Sequence, residues 1–193
     1  MRKIICVLSL ASALIFALAV HAAAPASFAG TWTLDKSKSQ GLSQRMQGAD
    51  SVSWVITQTD KEITIEEKVT GGQMGGGPGG GAPPAGGRPP AGGGGGGRRG
   101  GMMGGGPGTY NLDGSETTVD IGRGKAVRKA SWSSDGKILE LVSKATFEGP
   151  NGEVTNTTTD KFQLSDDGKV LTVTRHSEGG PRGTQDMTLV FTK

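Results

Sequence analysis

The chain is poor in the residues that most often carry chemistry. Its 193 residues include one cysteine, one tyrosine and two histidines. Cys6 sits in an apolar leader, so the remainder can form no disulfide, thiolate metal centre or cysteine nucleophile. His21 also lies by the leader, which leaves His176 as the one histidine for acid–base work. His176 has no Ser–Asp pair near it in sequence, and on the strand register derived below it points outward, as a solvated strand-end residue. Glu66 and Glu67 alternate across a strand and cannot act together. Asp166 and Asp167 read as turn residues. These absences predict no catalytic residue, no metal site and no cofactor, and the chain does not read as an enzyme. No stretch keeps a helical period over about 12 residues. Eight aromatics outside the leader are too few for the two girdles of an outer-membrane barrel.

The leader itself is distinctive. Arg2 and Lys3 precede an apolar run from Ile4 to Val20, and His21-Ala22-Ala23-Ala24 supplies small residues for cleavage. This is the pattern of a secretory signal peptide over 1–24, cut after Ala22 or Ala24, and it predicts a periplasmic or secreted protein with no stable membrane insertion after cleavage. Cys6 lies early in the run, away from the cleavage site, so a lipoprotein anchor does not fit. Without Arg2 and Lys3 the chain carries 19 basic and 18 acidic residues. That balance gives no electrostatic reason to bind nucleic acid.

Residues 71–108 interrupt the rest. They hold 22 of the 35 glycines and 6 of the 9 prolines, with no aromatic and no β-branched residue. Such a composition cannot bury enough apolar surface to offset the entropy of ordering, and it predicts a flexible, disordered loop between two strands of one domain, 25–193. Closure entropy grows only logarithmically with loop length, so the insertion is tolerated. Arg98-Arg99-Gly100-Gly101 resembles a nucleic-acid-binding RGG stretch, and Met74, Met102 and Met103 are soft donors of the kind that take Cu(I). Neither pattern stands out from a plain glycine-rich linker. Contact with a protein partner is the remaining role for this segment.

Elsewhere, Asp113-Gly114, Asp135-Gly136, Asn151-Gly152 and Asp167-Gly168 punctuate runs rich in Val, Ile, Leu, Thr and aromatics. Asp-Gly and Asn-Gly favour tight two-residue hairpins with positive φ. Strands are predicted over 30–35, 51–59, 62–69, 109–113, 116–121, 125–133, 137–147, 153–164, 169–176 and 184–192, with a short helix around Leu42 to Met46. The fold class is all-β: a single antiparallel up-and-down meander barrel of about 8–10 strands, closed so as to remove exposed edges.

The first strand reads Phe28-Ala29-Gly30-Thr31-Trp32-Thr33-Leu34. It is similar to the Gly-x-Trp opening of the calycins, and the Gly-Thr-Trp triplet resembles the start of fatty-acid-binding proteins. That resemblance implies a ten-stranded barrel without essential disulfides, an interior that takes a small amphiphilic molecule, and a barrel-closing structural role for Trp32. The family's carboxylate clamp does not carry over, because the last strand, Thr188 to Thr192, has neither Arg nor Tyr. More loosely, the chain resembles the exported lipocalin-like proteins of bacteria.

The turns also set a register. Ser133 to Leu141 echoes Ser165 to Val173 at an offset of 32 residues. About Asp167-Gly168, Leu164 opposes Leu171, Phe162 opposes Val173 and Asp160 opposes Arg175. About Asp135-Gly136, Trp132 opposes Leu139, Ala130 opposes Leu141 and Arg128 opposes Ser143. About Asp60-Lys61, Ile56 opposes Ile65 and Trp54 opposes Glu67. The face holding the apolar pairs is the core face. It turns polar away from the Asp-Gly turns, at Glu67, Arg128, Asn156, Thr158, Asp160 and Arg175. With Trp54 these seven form the candidate ligand-binding set, in which Arg128 and Arg175 could meet an anionic head group. The plainer reading puts them at the barrel rim, with Asp160–Arg175 as a partly solvated ion pair. The function expected is binding of a small apolar or amphiphilic ligand; the alternative is an envelope interaction protein that uses the glycine-rich loop.

Overall fold

A computed structural model describes residues 25–71, 108–122, 124–149, 152–180 and 183–193. The sequence readings for 1–24 and 72–107 (the leader, Met74, Met102 and Met103, and the arginine-glycine stretch) fall outside the described residues.

Ten strands form one antiparallel sheet. They are β1 (Gly30–Leu34), β2 (Ser51–Gln58), β3 (Glu62–Thr70), β4 (Gly108–Asn111), β5 (Thr117–Asp120), β6 (Gly124–Trp132), β7 (Ile138–Gly149), β8 (Gly152–Leu164), β9 (Val170–Glu178) and β10 (Gln185–Thr192). The order across the sheet is β4-β3-β2-β1-β10-β9-β8-β7-β6-β5. The sheet therefore curls into a near-closed barrel. Its first and last strands pair in the middle, and its edges are β4 and β5. These edges are consecutive in sequence yet share no ladder. Helix α1 (Gln44–Gly48) lies in the β1–β2 connection. Ser43 caps it by accepting from the Met46 amide, and Met46 turns into the core.

Two periodicities meet in each strand. In β2, Val52, Trp54 and Ile56 are buried while Ser51, Ser53 and Val55 are only partly so. The inward row of each strand faces the inward rows of its neighbours, as pleating requires. The expected register is observed at each of the three turns: Asp160 opposes Arg175, Phe162 opposes Val173, Arg128 opposes Ser143 and Trp54 opposes Glu67.

The turns differ from expectation in kind. In the described residues only glycines take positive φ, so Asp135 and Asp167 stay right-handed and no mirror-image two-residue turn forms. Instead Gly168 N–H donates to the Ser165 carbonyl at 2.8 Å and Ser165 N–H donates to the Val170 carbonyl at 2.9 Å. The Ser165 hydroxyl donates to Asp167 Oδ1 at 2.6 Å and accepts from Val170 N–H at 3.0 Å. Ser133, Asp135, Gly136 and Ile138 repeat every one of these bonds. The echo at 32 residues is thus one turn used twice. The longer loop leaves the strand sum unchanged, which is why the register holds.

The core divides lengthwise. Toward the Asp-Gly turns it is aromatic and closed. Phe28 stacks on Trp132 at 5.9 Å and meets the edge of Phe162 at 5.7 Å, while Trp54 lies 5.8 Å from Phe162 and 4.5 Å from Phe191. Away from those turns the inward positions become Asp160, Arg175, Ser143 and Thr158, all buried.

Candidate functional site

The polar stretch of the interior is organised around one ion pair. Arg175 donates from Nε to Asp160 Oδ1 at 2.6 Å and from Nη2 to Asp160 Oδ2 at 2.8 Å. Asp160 is 1% exposed and Arg175 8%. The rim reading is therefore corrected: this pair is a buried, two-pronged contact and not a partly solvated one. The cause lies on its flanks. Arg175 lies over the Trp54 ring at 5.9 Å, and Trp54 Nε1 donates to Glu67 Oε2 at 3.4 Å, so aromatic surface screens the pair from water. Burial pulls the Arg175 guanidinium down most strongly, but the Asp160 carboxylate together with Tyr110 and Glu67 outweighs it and leaves the arginine above its ordinary range.

Beside the pair runs a hydroxyl row. Thr158 Oγ1 lies 3.1 Å from Ser177 Oγ, and Asn156 Nδ2 donates to Thr158 Oγ1 at 3.5 Å. Ser143, between Arg128 on β6 and Thr158 on β8, is 1% exposed, and its hydroxyl has no hydrogen-bond partner among the described residues. Arg128 reaches the opposite way and lies 5.5 Å over the ring of Tyr110, itself buried on β4. The structure thus brings Trp54, Glu67, Asp160 and Arg175 into one linked cluster. Thr158 and Asn156 form a second group, and Arg128 stands with Tyr110 across the barrel seam.

Sequence reasoning did not single out Ser143, Ser177 or Tyr110 for this wall. Ser143 was visible in the register as the residue facing Arg128. Ser177 was not, because β9 runs to Glu178, two residues beyond the expected end at 176. Tyr110 follows the glycine-rich segment, where no alternation precedes it to set its face.

Compared with known proteins, the chain matches no family model and no curated relative. Among solved structures it is similar to that of zebrafish ileal bile acid-binding protein complexed with cholic acid, at 14% identity and a TM-score of 0.42, over 86% of this chain and 98% of that one. At that distance no residue role is carried across.

Trp32 is fully buried. Its Nε1 donates to the Phe28 carbonyl at 2.8 Å, and Lys193 Nζ covers its ring at 4.4 Å. Two concavities among the described residues lie outside the barrel, one beside Lys36, Leu42 and Gln47, the other beside Ser131, Ile138 and Lys161. No group of three or more metal-ligating side chains occurs among the described residues, nor any helix long and apolar enough to cross a membrane.

His176 lies on the outer face, 48% exposed, with Nδ1 2.6 Å from Asp186 Oδ1 and Nε2 4.0 Å from Glu178 Oε2. The bond to Asp186 raises its pKa above the usual 6.5. A raised folded-state pKa means that the pair contributes stability below pH 6.5 and loses it as pH climbs through the higher folded value. A proton NMR titration should show His176 titrating above 6.5 in the native protein and returning toward it in Asp186→Asn. An unchanged midpoint in that variant would refute the pairing.

Proposed function

We propose that this chain is an exported small-molecule-binding protein, a lipocalin-like barrel that takes a small apolar or amphiphilic ligand at the polar end of its interior. The observation that carries the reading is the Ser143 hydroxyl. A buried hydroxyl without a partner costs about 1–3 kcal/mol, and proteins rarely leave one so. A ligand group beside Ser143 would relieve that cost. Arg175 is held by Asp160 through Nε and Nη2, which offsets its charge toward an anionic head group. Glu67 and Asp160 match Arg128 and Arg175 in charge, so the wall favours an uncharged polar group over an ion. The leader of residues 1–24 supports export to the periplasm or medium.

The test uses N-phenyl-1-naphthylamine, a neutral amphiphile with one N–H group, together with mass spectrometry of small molecules that co-purify with the protein. Saturable one-to-one binding is expected. Ser143→Ala should weaken it by roughly three- to tenfold, the worth of one hydrogen bond, with no loss of urea stability. No co-purifying molecule and no saturable binding would end this reading. The second reading is an envelope interaction protein using residues 71–108 with no ligand cavity, and its support is the length and glycine-rich composition of that segment. Deleting 72–107, which leaves β3 and β4 whole, separates the two: probe binding survives under the first reading, and partner binding disappears under the second.

A further inference from the structure

The turn that is used twice sets two hairpins in one frame. A shift of 32 residues carries β6 and β7 onto β8 and β9, and the inward pairs follow it. Ala126–Ala145 falls on Thr158–Ser177, Arg128–Ser143 on Asp160–Arg175, and Ala130–Leu141 on Phe162–Val173. The frames agree and the side chains do not. Where the second hairpin projects the ring of Phe162 and the long stem of Arg175, the first has Ala130 and Ser143. Ala126 and Ala145, both buried, continue this low patch on the inner wall. Arg128 is the large side chain among them, and its guanidinium lies over Tyr110 on β4, on the side away from β7.

A patch of small residues alone is only packing. Ser143 adds a demand for a partner, because its hydroxyl is buried and bonded to nothing among the described residues. Thr158, its neighbour on β8, directs its own hydroxyl to Ser177 and Asn156. Ala126, Ala130, Leu141 and Ala145 offer no polar side-chain atom. A water needs about two to four polar partners to be held, more than these neighbours supply. An unpaired donor is tolerated less well than an unpaired acceptor, so the missing atom is an acceptor.

We propose that the β6–β7 wall takes the flat ring of an uncharged molecule, placed over Ala130 as Phe162 is placed in the other hairpin, with one carbonyl-type oxygen accepting from the Ser143 hydroxyl. The proposal rests on the binding function above and adds the chemical class of the ligand and the wall that reads it. A ring suits the position because Trp132, next to Ala130 on the inward row of β6, already stacks on Phe28 at 5.9 Å, so an aromatic ligand extends an existing cluster of rings. Ala130 and Ser143 are each 1% exposed. A ligand there parts the side chains that cover them and is then shielded from water. A carboxylate does not suit the wall, since a single hydroxyl cannot compensate a buried anion and Asp160 and Glu67 share the interior.

Three naphthalenes of similar shape test the class on the purified protein, each displacing N-phenyl-1-naphthylamine. 2-Acetonaphthone carries a ketone oxygen, 2-ethylnaphthalene lacks it, and 2-naphthoate carries an anion. The ketone should bind roughly three- to tenfold more tightly than the hydrocarbon, the contribution of one hydrogen bond, and the naphthoate should be the weakest. In Ser143→Ala the ketone and the hydrocarbon should fall within about twofold of each other, with the hydrocarbon's own affinity nearly unchanged. Equal binding of ketone and hydrocarbon by the wild-type chain, a preference that persists in Ser143→Ala, or naphthoate at least as tight as the ketone would overturn the inference and leave the binding function standing. No binding of any of these compounds, the probe included, would remove the binding function and this inference with it.

Discussion

Arg175→Met should cost about 3–5 kcal/mol of stability in urea unfolding, because it strands Asp160 as an uncompensated buried charge. The pair is close and two-pronged, and Trp54 shields it, so neither partner can retreat to water. The double variant Asp160→Leu, Arg175→Met should recover most of that loss. Removing both charges leaves no stranded group, and apolar replacements of buried pairs are often neutral or stabilising. The two results together distinguish the cost of stranding a charge from the net worth of the pair. A single-variant loss under about 1 kcal/mol is what a solvated surface pair gives, and it would contradict the burial described above.

Phe162→Ala should be comparably damaging, at about 3–5 kcal/mol, for a different reason. Phe162 is fully buried and touches both Phe28 and Trp54. Those partners belong to the segment before β1 and to β2, so the ring ties the first part of the chain to the later meander. Truncation opens a cavity that a ladder-bound wall cannot collapse to fill. Urea unfolding followed by tryptophan fluorescence reads the loss, and Phe162→Leu should show a much smaller one. Equal losses for Ala and Leu would mean that the ring contacts themselves, and not the volume the ring fills, are what this position supplies.

Much of this fold was legible because antiparallel meanders are local. Each strand but β1 and β10 pairs only with sequence neighbours, so turn residues and alternation sufficed to place Asp160 against Arg175 and Trp54 against Glu67. What was not legible depends on distances through the barrel. The burial of the ion pair follows from Trp54, which comes from β2 on a distant part of the chain. The reach of Arg128 to Tyr110 crosses a strand to which neither belongs. The turn type was missed because Ser133 and Ser165, two residues ahead of each Asp-Gly aspartate, supply bonds that make a four-residue loop as tight as a two-residue one. Those bonds also hold Asp135 and Asp167 below the ordinary carboxylate range.

A sheet that is not fully laddered shut has rims that another polypeptide could extend. Here β4 covers only residues 62–65 of β3, and β5 covers only 125–128 of β6. Among the described residues, the uncovered lengths carry Glu66, Glu67 and Lys68 on β3 and Lys129 on β6. A charged rim is the usual guard against strand addition, since a second chain would have to desolvate those groups to pair. Along these lengths Glu66, Lys68 and Lys129 work against strand addition at the unladdered seam.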